Sequence, residues 1–534
     1  MKLNEYIKKN KTFSVFLFLF IVWTGYLLIL ALTANREIIF YDWVGDTFVN
    51  SQYSSEIPIL RYILEPIVAI TLILDGYDLL IAFIYTAVIY RIVYFHLKKK
   101  GYLNSKKTKL LWYPVKDWFR FSFILISIGI IFGLLIVLFL FLFAGFFYVN
   151  LYWMAVLQIT VLSCLIAIII KGFILIVKYM HPRLKLNYAK KKRFNLSPAR
   201  SRFTKYFRSF RREFTYVIGF SMLMCGVGML LLTVNFPMHR VEADLENDEV
   251  LLDFHVHTYM SDGWLSPQQR VDWYLAHGID GAAFSDHDNL RGAKIASKYV
   301  KDQDLDFKVF YSEEWTDHEN GIHMNIFGLK ETIVPLESEA EGGAPAMNAE
   351  DTIAYVKDQG GYIVVNHYNY NFNPNGGFGT PYNLTTLMEW GVDGFEIVNG
   401  GHPKHYKIRE FCFNNSLICI GGSDIHSNKE LNTFIKLKLA NPDEFTIDDV
   451  FTELQKNEHQ VVGINLNPKD FRLPELMYAL ELDYVEDFIE YLLNLNSFQL
   501  LSWIVWSSGG FLLIAYLYFH IKNSELKKFK QKIL

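Results

Sequence analysis

Apolar positions follow two different rhythms along the 534-residue chain. Residues 12–34, 121–170, 214–239 and 491–521 carry no Asp, Glu, Lys or Arg. Each run reaches the roughly 20 apolar residues that a helix needs to cross a hydrocarbon core, and 121–170 is long enough for two crossings joined by a turn near Tyr148-Val149-Asn150. Residues 79–96 form a weaker candidate, because they contain Arg91 and follow Glu65, Asp75 and Asp78. The pattern predicts six spans: about five helices in a membrane domain over 1–240 and one C-terminal helix over 496–521. From Val250 the rhythm changes to short apolar runs separated by helix-like and polar stretches, as in a soluble α/β domain. Seven strands are expected at 250–254, 281–284, 307–311, 324–328, 361–365, 394–398 and 417–421. The domain is bounded at 247–470, with an acidic helical linker over 471–495 and a basic tail over 522–534.

Charge then orients the spans. Basic residues cluster at the N-terminus (Lys2, Lys8, Lys9, Lys11), after the second span (Lys98 to Lys109), after the fourth (Arg183 to Arg212) and in the tail from Lys522. Residues 35–60 hold only Arg36 among several acids. Because cytoplasmic flanks carry the excess of Lys and Arg, six spans place every basic segment inside. The expected protein is a multi-pass cell-membrane protein, its partner the lipid bilayer, with both termini cytoplasmic and the 247–470 domain extracytoplasmic. A net charge of -3 offers no reason to expect nucleic acid; the basic loop 183–212 reads as a membrane flank. Four cysteines, two of them in apolar runs, make no disulfide framework.

The polar residues of the 247–470 domain fall at strand ends. His255 and His257 close the first strand, Asp286-His287-Asp288 follow the second, and Glu313-Glu314 follow the third. His323 opens the fourth, Asn366-His367 follow the fifth, Glu396 lies within the sixth, and Asp424 and His426 follow the seventh. Metal-ligand types at the carboxyl ends of successive parallel strands are the arrangement of a β/α-barrel site. His255 and His257, two apart on a strand, point the same way and can grip one ion. Mixed imidazole and carboxylate ligands suit Zn, Mn or Fe, and so many candidates exceed what one four-coordinate ion uses. Lone polar residues such as His318 or His405 are better read as surface or hydrogen-bonding groups, but the whole set would be costly to bury without ions.

As an ordered series, His255-Val256-His257-Thr258, Ser261-Asp262-Gly263, Ser266-Pro267, Ser285-Asp286-His287-Asp288, Glu314-Trp315-Thr316, His323 to Gly328, Asn366-His367 and Gly422 to His426 closely resemble the polymerase-and-histidinol-phosphatase (PHP) superfamily. The Glu-Trp-Thr and His-x-Asn-x-x-Gly elements are most similar to its carbaryl-hydrolase-like branch. The resemblance covers about 250–430. It implies an α/β fold, a distorted seven-stranded (β/α) TIM-like barrel, here attached to an α-helical transmembrane region. It also implies two or three divalent ions (Mn, Zn or Fe) on His255, His257, Asp262, His287, Glu314, His323, His367, Asp424 and His426. Glu314 is chosen over Glu313 because Trp-Thr follows it. Tyr368 stands where many relatives have Pro.

The implied activity is hydrolysis of an extracytoplasmic or lipid-linked phosphoester by a metal-activated water. Candidate catalytic residues are His287, Asp286 and Asp288: an imidazole not fully tied to metal would protonate the leaving group, and the two carboxylates orient ligands or cap turns. Alternatives are a carboxyl-ester, carbamate or amide hydrolase with the same centre, or a non-catalytic metal- or ligand-sensing membrane protein. The loops 336–347 and 369–383 are expected at the mouth of the site.

Overall fold

The computed structural model describes residues 11–34, 38–73, 239–336, 338, 343–368, 380–403, 406–426, 431–466, 468–474 and 483–530, with scattered residues between 85 and 175. The basic loop 183–212, all but His239 of the predicted span 214–239, much of 121–170, half of 79–96 and residues 369–379 of the loop 369–383 lie outside the described residues. The chain divides into two compact units: one of 1–35, 64–234 and 471–534, the other of 36–63 and 235–470.

The strands are β1 (Ile39–Asp42), β2 (Thr47–Phe48), β3 (Tyr53–Glu56), β4 (Arg240–Ala243), β5 (Glu249–Val256), β6 (Gly281–Phe284), β7 (Lys308–Asp317) and β8 (Ile322–Phe327). They continue as β9 (Val334–Pro335), β10 (Ala346–Met347), β11 (Tyr362–Val365), β12 (Gly394–Asn399), β13 (His402–Pro403), β14 (Ile418–Gly422), β15 (Thr433–Lys438) and β16 (Gln460–Asn465). The helices are α1 (Lys11–Thr33), α2 (Ile59–Ile73), α3 (Pro267–His277), α4 (Arg291–Gln303), α5 (Ala349–Asp358), α6 (Leu384–Trp390), α7 (Tyr406–Asn414), α8 (Ile447–Leu454), α9 (Asp483–Leu493) and α10 (Ser497–Lys530).

The second unit is a mixed α/β structure around a 12-stranded sheet, ordered β13-β12-β11-β8-β7-β6-β5-β15-β16-β1-β2, with β14 paired to β12. All seven expected strands are present. β5, β6 and β7 are parallel, as are β11, β12 and β14. Such strands are covered on both faces and therefore read as unbroken apolar runs; β6 and β14 are buried along their whole length. β8 departs from the expected parallel series, pairing antiparallel with both β7 and β11. The reversal puts the amino end of β8 on the edge where its neighbours have their carboxyl ends, so His323 still faces the common site. Beyond β14 the chain returns to β5: Asp424 N–H donates to His255 O at 2.9 Å, and Val256 bridges Ile425 in parallel.

Local signals place the helices. Ser266 caps α3 by accepting from Gln269 N–H while the Gln269 side chain accepts from Ser266 N–H, a reciprocal cap that satisfies two otherwise orphaned donors. Pro267 begins the helix and Gly278, at φ 79°, ends it, as their backbone preferences require.

Residues 36–63, assigned by sequence to the membrane part, instead build the second unit. β1 pairs antiparallel with β16 and β3 with β4, and Arg409 on α7 donates to Trp43 O at 2.8 Å and Val44 O at 2.6 Å. Phe40 and Tyr53 are buried there, rings 5.5 Å apart. Deleting so large a buried side chain removes transfer energy and leaves a cavity, so Phe40→Ala should lower stability by about 3–5 kcal/mol. Urea unfolding of the full chain, followed by protease sensitivity of the 235–470 region, measures this; a shift below ~1 kcal/mol would show that β1 is dispensable.

In the first unit α1 and α10 pack antiparallel: Ser497 Oγ donates to Ala31 O at 2.9 Å, Trp23 Nε1 to Ser507 Oγ at 3.0 Å, and the Phe20 and Phe511 rings stack at 4.2 Å. Buried Glu65 of α2 accepts from the Tyr491 hydroxyl and from Gln499 Nε2. Among the described residues no helix is long and apolar enough to cross a membrane; the unbroken runs of described side chains in α1 and α10 are 17–33 and 497–513. Their outward faces are apolar, with Phe18, Leu19, Ile29, Leu32, Val505 and Leu512 exposed.

Candidate metal centre

All nine residues inferred as ligands meet at one edge of the second unit's sheet, in four overlapping groups. His255, His257 and Asp424 form one; His255, Glu314 and His367 another; His287, Glu314 and His323 a third; His257, Asp262, His287 and His426 the fourth. His255 Nε2 lies 3.1 Å from His257 Nε2, 3.4 Å from Glu314 Oε2 and 3.3 Å from Asp424 Oδ1. His257 Nε2 is 3.3 Å from Glu314 Oε2 and 3.2 Å from Asp424 Oδ1. Ligands bonded at about 2.1 Å to a tetrahedral or octahedral ion stand roughly 3.0–3.4 Å apart, so the donor set fits a divalent transition metal.

Glu314 joins the groups. Its Oε2 faces His255, His257 and His287, while Oε1 lies 3.0 Å from His323 Nδ1 and 3.1 Å from His367 Nε2. On the far side Asp262 sits 3.3 Å from His287 Nε2 and 3.1 Å from His426 Nε2. Adjacent Glu313 points away, its Oε1 accepting Ile333 N–H at 2.8 Å. Successive strand residues face opposite sides, so only one of the pair can reach the site. Burial raises the Glu313 carboxyl to about 8, reinforced by neighbouring Asp288.

Electrostatics favour cations here. Burial opposes the His255 imidazolium, yet Asp424, Glu314 and Glu396 outweigh it and hold its pKa well above the usual value. His257 is likewise raised, to about 10: burial opposes the charge, but Asp262, Asp424 and Glu314 prevail. The same attraction overcomes burial to keep Glu314, Asp424 and Asp262 well below the carboxylate range. The floor is dry and the rim open: His255 and His257 side chains are 1% and 0% exposed, against 24% for His287 and 33% for His426. The site therefore opens to solvent on the His287–His426 side.

Outer hydrogen bonds orient these groups. Glu396, noted in the sequence only as a polar residue within a strand, accepts from His255 Nδ1 at 2.9 Å, His367 N–H at 2.8 Å and Asn399 Nδ2 at 3.0 Å. Asn399, which the sequence reading did not select, also donates to Asp424 Oδ2 at 3.0 Å. A carboxylate inside the apolar run Gly394–Asn399 was the available signal, since burying one demands partners. Gly422 is needed beside this pair: a Cβ there would collide with His255 and Glu396. Asp253, also missed, accepts from Tyr274 Oη at 2.6 Å and Ser423 N–H at 3.0 Å.

Asp286 does not point at the donor cluster. Its Oδ1 accepts from Thr258 N–H at 2.7 Å and Ser261 Oγ at 2.8 Å, holding the loop that carries Asp262. Asp288 accepts Thr316 N–H at 3.0 Å and Ser338 Oγ at 3.3 Å, and burial lifts its carboxyl to about 7. Asp288 (φ 50°), His367 (φ 25°) and Asp424 (φ 48°) adopt left-handed backbone conformations, costing about 1–3 kcal/mol each. Backbone and side-chain hydrogen bonds hold each in place, including Asp288 N–H to Glu314 O at 3.0 Å. His318 is exposed at the tip of the β7–β8 hairpin, its ring centroid 6.1 Å from that of His323.

No family model and no curated protein matches the chain. Among solved structures, the chain is similar to a two-domain protein of Bacteroides vulgatus containing a predicted PHP-like metal-dependent phosphoesterase, at 20% identity and a TM-score of 0.33. The match covers 40% of this chain and 64% of that one, so it spans under two thirds of the relative's length. A Bifidobacterium adolescentis protein assigned as a metal-dependent phosphoesterase matches at 19% identity and a TM-score of 0.28, over 39% of this chain and 96% of that one. An amidohydrolase of Chromobacterium violaceum matches at 16% identity and a TM-score of 0.24, over 33% and 87% of the respective chains.

Proposed function

We propose that the second unit is a metal-dependent phosphoesterase of the PHP type, anchored to a membrane and facing away from the cytoplasm. The observation that carries the chemistry is the convergence of nine His and carboxylate side chains on one sheet edge, with Glu314 shared between groups. Strands β5, β6, β7, β8, β11, β12 and β14 are read as the distorted seven-stranded barrel, closed where the chain beyond β14 returns to β5. Two or three Mn, Zn or Fe ions held by these residues would supply a water acidic enough to ionise near neutral pH and positive charge for the phosphoryl oxygens.

The chain's own residues do the rest. Glu314, Asp424 and Asp262 provide the negative charge that holds cations, and the buried rings of His255 and His257 form a rigid floor. His287, partly exposed and with its Nδ1 2.7 Å from Thr316 Oγ1, would give a proton from Nε2 to the departing alkoxide if that nitrogen is left free of metal, the other eight residues then holding the ions. Asp286 and Asp288 act as positioning residues, through the 258–262 loop and the start of the β7–β8 hairpin.

The test uses the full chain purified in detergent. At least two equivalents of transition metal are expected, and bis-p-nitrophenyl phosphate should be hydrolysed faster than p-nitrophenyl acetate. One equivalent or none in folded protein would end the multinuclear reading. Faster carboxyester cleavage would move the assignment to an ester, carbamate or amide hydrolase, and metal binding without turnover to a sensor.

Two features of the fold support the membrane orientation. Residues 36–63 and 235–470 belong to one unit, which agrees with the four proposed intervening spans, since an even number of crossings would return the chain to the same side. Antiparallel packing of α1 and α10 puts the Lys11 end of α1 and the Lys530 end of α10 in the same direction, in agreement with both termini on one side. Single cysteines at Ser338 and Ser524, probed in intact cells with a membrane-impermeant thiol reagent, should label at 338 and not at 524. The reverse pattern would invert the topology.

A further inference from the structure

The first unit contains a cavity of about 370 Å³ walled by Tyr90, Arg91, Tyr94, Lys116, Phe119 and Arg120. Its frame is aromatic: the Tyr90 and Phe119 rings stack at 4.1 Å, and Tyr94 continues the row 6.4 Å from Tyr90. Among the described residues the walls hold three cations and no carboxylate. The neighbouring acid, Asp117, instead faces Lys171 at 3.9 Å. Among the described residues Arg91, Lys116 and Arg120 have no ion pair or hydrogen bond of their own. Three like charges around one cavity repel one another, and a guanidinium pair is suited to gripping phosphate oxygens. Phe123, also lining the cavity, is 66% exposed and continues it with an apolar surface.

We infer that this cavity binds a phosphate-bearing anion, with its phosphate among Arg91, Lys116 and Arg120 and an apolar tail along Phe119 and Phe123. The site is separate from the metal centre and independent of the hydrolase reading. A general basic flank would attract anionic membrane without any cavity. That explanation predicts equal importance for Lys98 and Lys99, which are exposed on the same stretch as Arg91 but do not line the cavity.

Full-length protein purified in dodecyl maltoside is washed with dioleoylphosphatidylglycerol or dioleoylphosphatidylcholine, and retained lipid is counted by native mass spectrometry. A parallel arm measures inorganic phosphate binding and its ability to displace the lipid. Wild type should retain phosphatidylglycerol, R91Q/R120Q about 10-fold less or worse through loss of two charge-assisted contacts, and K98Q/K99Q within about 2-fold of wild type. R91K/R120K, which keeps the charge, should recover part of the retention and shows that the cavity is still folded. Phosphate binding without lipid retention would support the anion site among Arg91, Lys116 and Arg120 and overturn the apolar tail along Phe119 and Phe123. Equal loss in R91Q/R120Q and K98Q/K99Q, or no loss in either, would overturn the proposal.

Discussion

Glu314→Gln should strip at least one metal equivalent from the protein and reduce phosphoester turnover by about 10^3-fold or more, the scale of several kcal/mol of lost charge stabilisation. The expectation follows from position. Glu314 is 1% exposed and its two oxygens face five imidazoles, those of His255, His257 and His287 on one side and of His323 and His367 on the other. An amide of the same shape keeps the packing but removes the charge of a residue that belongs to two of the four donor groups. The neighbouring Glu313→Gln variant is the control: its carboxyl is turned from the site, and burial already lifts it to about 8, so the substitution replaces one neutral group by another near pH 7. Its turnover should stay within about 3-fold of wild type. Metal analysis and turnover on both variants decide the matter. Equal effects, or an E314Q enzyme with full metal content and rate, would place the centre elsewhere.

Glu396→Gln should weaken metal retention by about 10–100-fold, the usual consequence of losing a carboxylate behind a ligating histidine. The carboxylate accepts from His255 Nδ1 at 2.9 Å, which leaves Nε2 as the face presented to the cluster and makes the ring a stronger donor. It also accepts His367 N–H, helping to hold that residue in its left-handed conformation. The signature of a positioning role is a shift in the chelator concentration that removes metal, with turnover largely restored by excess metal. Unchanged retention would mean that Asn399 and the backbone suffice to orient His255. Loss of turnover that excess metal does not restore would mean that Glu396 acts on the substrate itself.

Much of the second unit is legible along the chain because its signals are local. Continuous apolar runs of four to six residues mark strands buried on both faces, and polar residues at their ends stand out against them. The ligand types could be chosen residue by residue, even between Glu313 and Glu314, where the alternation of a strand agrees with the motif. Apolar length and basic flanks likewise yield an expected membrane topology from composition alone, while among the described residues no helix is long and apolar enough to cross a membrane.

What the chain could not disclose is contact between distant segments. Nothing near Phe40 indicates that β1 will pair with β16 across more than 400 residues, and β15 and β16 lack a His, Asp or Glu at their carboxyl ends. The reversal of β8 is set by a hairpin whose direction is invisible in hydrophobic pattern. The roles of Glu396, Asn399 and Asp286 depend on which atoms their carboxylates and amides meet across the sheet. By itself the sequence determined the elements, the donor chemistry and the expected membrane segments, because periodicity, charge and residue type are properties of short stretches. The tertiary structure alone decided which donors share a centre, which carboxylates stand behind them, and that the segment after the first apolar run belongs to the second unit, because hydrogen bonds and burial between remote residues exist only once the chain has folded.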